Sequence, residues 1–276
     1  MRFPALRIIG VLLTAAAFAA PLPAVAADTI PFVSDGGRIE VQGSVDGSAP
    51  APMLVGLGAG VDVLSSALGQ RYVLVGGKFV RLTQNGERVV LPLGVVQSLA
   101  IGGVRLDAPY VGISNALDGT SVSGIISATA FRNITATFDF RQNEIVIEDA
   151  QSFPQRIVLS ARVPAILEDD LGIGLAVFAR FDFGDGKTGI CEIDTASSGI
   201  TLDKAFAASI GVRASADGSA SVSSIALTGA PQTTLVDPSV RVSGLAYDCA
   251  VGNVFWAGRS FTLDLPNRFI YVESKG

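Results

Sequence analysis

The chain has 276 residues, 49% of them hydrophobic and 16% charged, with a formal charge of −5, 31 glycines, two cysteines and no histidine. That length buries one large core or two modest ones. The lack of histidine excludes Ser-His-Asp and Cys-His catalysis and all but excludes a zinc site, so no cofactor or metal is expected. An acidic balance without a basic cluster argues against nucleic acid and anionic lipid as partners.

The first 26 residues read as a secretory signal peptide. Arg2 and Arg7 give a basic start, and residues 8–20 form an apolar run too short to span a membrane comfortably. Ala24-Val25-Ala26 supplies the small residues that a signal peptidase needs, so cleavage is expected after about Ala26. No cysteine sits there for a lipid anchor, and no later run is long enough to span a bilayer. A periplasmic or secreted protein is expected, of charge −7 once two arginines and no acid have been removed. In an oxidising compartment two cysteines are expected to form one disulfide rather than a redox pair.

From Ile30 onward, short runs of Val, Ile, Leu, Phe and Thr alternate with polar residues. Turn signals recur at Asp46-Gly47, Gly76-Gly77, Asn85-Gly86, Gly102-Gly103 and Gly184-Asp185-Gly186. The best helical pattern covers 203–210, with Thr201 or Asp203 as its cap and Gly211 as its stop. Residues 128–133 and 253–259 read as short helical turns. The β pattern pauses over 149–164, where Gln151, Ser152, Pro154 and Gln155 suggest a linker between halves of similar length.

The two halves repeat one arrangement. Met53-Leu54-Val55-Gly56-Leu57-Gly58-Ala59 aligns with Cys191-Glu192-Ile193-Asp194-Thr195-Ala196-Ser197. Later, Ile125-Ile126-Ser127 aligns with Ala250-Val251-Gly252. Matching strands follow at 135–138 and 260–263, and each half closes with a hairpin strand, 144–148 and 269–273. In the second half an apolar strand runs into one carboxylate, Asp194, and then into a small-residue turn. By itself that pattern is also an ordinary strand exit with an Asp capping a loop.

The twofold pattern resembles the pepsin-like and retropepsin-like aspartic peptidases, in the bacterial exported form with two lobes in one chain. The resemblance implies an all-β fold of two pseudo-symmetric β-barrel lobes, 30–150 and 160–276, with a central cleft and short helices. It implies that Asp194 is the catalytic aspartate of the second lobe and that the Thr195 hydroxyl braces the pair of aspartates. Ala196 stands where the family has Gly. Gly56 stands at the first catalytic Asp, with Leu57 in place of Thr or Ser. Gly58, Ser197 and Tyr72 are the implied substrate contacts, Tyr72 through a flap hairpin; as an ordinary residue it is a half-buried strand position. Cys191 lies three residues before Asp194 and Cys249 three before Gly252. Side-by-side strands, as in the family, bring the two sulfurs together as a disulfide.

The family's chemistry uses two carboxylates about 3 Å apart that share one proton. Glycine supplies neither acid nor base, and losing a general acid–base group costs on the order of 10²–10⁴ in rate. Replacement by Asp62 would require the turn to keep it at the centre, and a dimer would have to bring two Asp194 together. The primary expectation is therefore an exported aspartyl-protease-type protein with a degenerate dyad. It would bind a peptide or protein in its cleft, as a monomer, with little or no peptidase activity. The alternatives are an active aspartic endopeptidase with an unseen or dimer-supplied partner, or a secreted structural or outer-membrane β protein. Trp256 is expected in the core. Glu168-Asp169-Asp170 reads as a solvated loop or, less simply, as a Ca²⁺ site.

Overall fold

The computed structural model describes residues 28–273 apart from 72 and 83–87. The leader, Tyr72 and the Asn85-Gly86 signal lie outside the described residues. Among the described residues the chain forms three sheets and a few short helices. No helix among them is long and apolar enough to cross a membrane.

A six-stranded antiparallel sheet joins the start, middle and end of the chain. Its order is Asp28–Pro31, Glu144–Glu148, Thr135–Asp139, Ser260–Asp264, Phe269–Glu273 and Ser160–Pro164. The order is symmetric about the central pair, in which Thr137 lies opposite Thr262. Their hydroxyls are 2.7 Å apart, at the axis that relates the halves. On the other face, Phe138 and Phe261 stack with ring centroids 5.0 Å apart. Phe131, Phe255 and Trp256 extend this apolar cluster, with Trp256 fully buried.

A ten-stranded sheet is built from strands between Val33–Asp35 and Gly124–Ile126, and a nine-stranded sheet from strands between Ile166–Asp170 and Cys249–Val251. Some strands alternate buried and open positions, as Arg38–Val45 does. Others, such as Asp62–Ser65, are buried throughout. These are open sheets packed as two lobes, not one closed barrel.

Three local readings need correction. Gly76 and Gly77 lie within strand Val73–Leu82, where the pairing to Arg88–Val95 slips between Leu74 and Lys78. A bulge and a turn share the glycine signal, and here the glycines serve a bulge. Over 253–259 the chain forms consecutive turns, residues 253–258, rather than a helix. The segment 149–164 is not a bare linker: it holds helix Ser152–Ile157 and the edge strand Ser160–Pro164. The other two helical readings correspond to helix Lys204–Ser209 and the 3₁₀ turn Ala128–Phe131. Asp203 caps the former by accepting from the Ala205 and Phe206 N–H groups, and Gly211 (φ +82°) ends it.

Candidate functional site

Each lobe brings one strand and its parallel neighbour to the midline. In the first, Ala51–Val55 pairs with Gly124–Ile126, Val55 opposite Ile126. In the second, Thr188–Ile193 pairs with Cys249–Val251, Ile193 opposite Val251. The next residue on each first strand is Gly56 or Asp194, and the two have matching backbone bonds. Gly56 N–H donates to Ile126 O at 2.8 Å, and Asp194 N–H donates to Val251 O at 3.0 Å. Gly56 O accepts from Ala59 N–H at 2.9 Å, and Asp194 O accepts from Ser197 N–H at 3.2 Å. Gly56 thus occupies in the first lobe the backbone position that Asp194 occupies in the second.

The motifs touch through Thr195, which is fully buried. Its hydroxyl donates to Val55 O at 2.7 Å and accepts from Leu57 N–H at 3.1 Å. Leu57 has no hydroxyl to return the contact, so the lobes are joined here by one brace. Thr195→Val removes the acceptor of the buried Leu57 N–H and one donor to Val55 O. It is expected to destabilise the fold by about 2–3 kcal/mol in urea unfolding, whereas Thr195→Ser restores most of that.

Asp194 is 7% exposed, and its Oδ1 accepts from Ala196 N–H at 3.0 Å. Gly58 faces it: a Cβ there would sit 3.0 Å from the Asp194 Cβ, Cγ and Oδ1 atoms. On the opposite side, a Cβ on Gly56 would lie 3.1 Å from the Ala196 methyl and 2.9 Å from Ile125 Cγ2. The departures at 56 and 196 are therefore one packing event, because the Ala196 methyl stands against the space that a side chain at 56 would need. Ser197 lies beyond the turn, lining a shallow cavity of about 580 Å³ with Thr201, Asp217 and Arg241.

The sequence reading missed Asn253, directly after Gly252. Its Nδ2 donates to Thr195 O and to Gly37 O, both at 2.7 Å, tying the Asp194 turn to a hairpin turn of the first lobe. Gly252 cannot be replaced there, since a Cβ would lie 2.4 Å from the Ser197 and Gly199 carbonyl oxygens. An amide adjoining an obligatory glycine was the available signal. Cys191 and Cys249 are register partners on the two parallel strands and form a disulfide, with Cα atoms 4.4 Å apart.

Asp62 is 1% exposed and accepts from Ser127 N–H at 2.7 Å and from the Thr129 hydroxyl at 2.8 Å. Burial pushes its carboxyl up to about 6, against the lowering pull of those bonds. Between the unfolded value of 3.8 and about 6 the folded chain binds the extra proton, so this group's stabilisation is greatest at low pH and is lost as pH rises through 6. The loss amounts to about 3 kcal/mol. Asp62→Asn should lack that fall, so in urea unfolding the stability of the wild type relative to the variant should drop between pH 4 and pH 7.

In the acidic run 168–170, Asp169 pairs with Arg132 and accepts from Gly172 N–H at 2.8 Å, and these contacts hold its carboxyl below the usual range.

No protein-family profile matches the chain, and no curated protein matches it in sequence. Solved structures do match in shape. An aspartic proteinase from Irpex lacteus aligns over 91% of this chain and 98% of its own, with a TM-score of 0.57 and 11% identity. Basic 7S globulin from soybean aligns over 91% and 95%, with a TM-score of 0.55 and 12% identity. The chain has the two-lobed all-β fold of the pepsin-like aspartic proteinases.

Proposed function

We propose that the chain is an exported protein of the aspartyl-protease type whose dyad is broken. It binds an extended peptide or protein segment in the cleft and hydrolyses it little or not at all. The lobes are residues 30–150 and 160–276, and the leader 1–26 is removed on export to the periplasm or beyond. One observation carries the reading: Gly56 stands at the backbone position equivalent to Asp194.

Peptide hydrolysis at such a centre needs one carboxylate to take a proton from water and another group to protonate the scissile carbonyl. Asp194 fits the first role. Gly56 offers nothing for the second, and Asp62 spends its oxygens on Ser127 and Thr129. Binding requires neither proton. An extended peptide gains main-chain hydrogen bonds as an added strand, and side-chain pockets select among peptides.

The test compares wild type with Asp194→Ala at acidic pH, with and without pepstatin. The two proteins are expected to be equally inert toward peptides yet to bind them by calorimetry. Pepstatin-sensitive turnover abolished in Asp194→Ala would overturn the reading.

A further inference from the structure

Where the first-lobe hairpin meets the second lobe lies a cavity of about 300 Å³. Gly60, Phe79 and Val80 line it from the first lobe, and Phe178 and Tyr247 from the second. Glu168, Asp169 and Asp170 line it as well, beside small and apolar residues such as Leu175 and Ala246. The position of these walls is fixed by contacts between the lobes. Leu175 N–H donates to Gly60 O at 2.6 Å. Gly174 has no room for a side chain, since a Cβ would lie 2.7 Å from the Phe79 ring and 3.1 Å from Gly60 O.

The aromatic walls are ordered. Phe79 and Phe178 are each 6% exposed. Tyr247 meets Phe178 edge-on with centroids 5.3 Å apart, and its hydroxyl donates to the buried Glu192. Of the three carboxylates, Asp169 is neutralised by Arg132. Glu168 and Asp170 form no ion pair with a described residue. The cavity therefore joins aromatic faces to two uncompensated negative charges.

We propose that this cavity receives a lysine or arginine side chain of the bound segment, a proposal that rests on the peptide-binding reading of the cleft. The aromatic walls suit both the aliphatic stem and the cation, while the carboxylates supply the counter-charge. An aliphatic side chain would desolvate those carboxylates without pairing them, and an acidic one would be repelled.

The experiment uses the chain from residue 27 on and a set of otherwise identical ten-residue peptides. One central position is Lys, Arg, norleucine or Glu, and binding is measured by fluorescence anisotropy at low and high salt. Lys and Arg peptides are expected to bind at least about fivefold tighter than the norleucine peptide, with the margin shrinking in salt. Glu168→Gln with Asp170→Asn should erase the margin by weakening the Lys and Arg peptides, with the norleucine peptide binding as tightly or more tightly because no carboxylate is then desolvated; Asp169 is spared because it holds Arg132 and the turn at Gly172. Equal binding of Lys, Arg and norleucine peptides by wild type would overturn this proposal alone. Failure of every peptide to bind would remove the cleft reading and this proposal with it.

Discussion

A Gly56→Asp, Ala196→Gly double variant is expected to gain acid peptidase activity at least about 10²-fold above the wild-type background, the scale on which one general acid–base group counts. The gain should vanish on adding Asp194→Ala. The reason is geometric. Gly56 already makes the backbone bonds that Asp194 makes in its own lobe, so a carboxylate introduced there starts from the matching position. The obstacle is the 3.1 Å approach of the Ala196 methyl, with Ile125 Cγ2 at 2.9 Å. Gly56→Asp alone should therefore fold less stably and gain less activity, and Ala196→Gly should release it. Adding Leu57→Thr would supply a hydroxyl only by removing a fully buried core leucine, and is expected to lower stability. A double variant that folds, binds peptide and stays inert at every pH from 3 to 6 would show that the absence of a carboxylate at residue 56 is not what separates this site from hydrolysis.

Removing the disulfide should have the largest effect on stability. Cys191 and Cys249 are 58 residues apart in sequence, and closing a loop of that size is worth about 4 kcal/mol through the unfolded chain. The bond also sits beside the turn of the candidate site, three residues before both Asp194 and Gly252. A Cys191→Ala, Cys249→Ala variant is expected to melt about 10 °C lower, as should the wild type under reducing conditions. A shift of less than about 2 °C would mean that strand pairing alone holds this ladder.

Much of this architecture was legible because hydrophobic alternation and repetition coincide. The strands 135–139 and 260–264, and the apolar pairs ending at Val55 and Ile193, are marked by both signals at once. Local punctuation was less informative. Gly76-Gly77 carries the same residues whether the chain turns or bulges, and only the register with Arg88–Val95 tells them apart. The strand Ser160–Pro164 was hidden by Pro164 and by its place at a sheet edge, where proline is tolerated because one row of N–H groups has no partner. Within the site, the sequence marks Gly56 and Ala196 as two unrelated departures. Their link is a through-space contact between residues 140 positions apart, which no linear pattern carries. Asn253 was missed for the same reason, because both of its partners are distant main-chain carbonyls.

The Thr137–Thr262 pairing has a consequence for how the molecule comes into being. The middle rung of the shared sheet unites a strand from the middle of the chain with one more than 120 residues later. Until Ser260–Asp264 arrives, Thr135–Asp139 is an unpaired sheet margin carrying Ala136 and Phe138, and an open edge of that kind can pair with other chains. Assembly must then be a late event with high contact order, slow to complete and vulnerable until it does. Neither half is a free-standing unit in this architecture: each finishes the other, and a chain severed near residue 150 would leave two sticky fragments rather than two proteins.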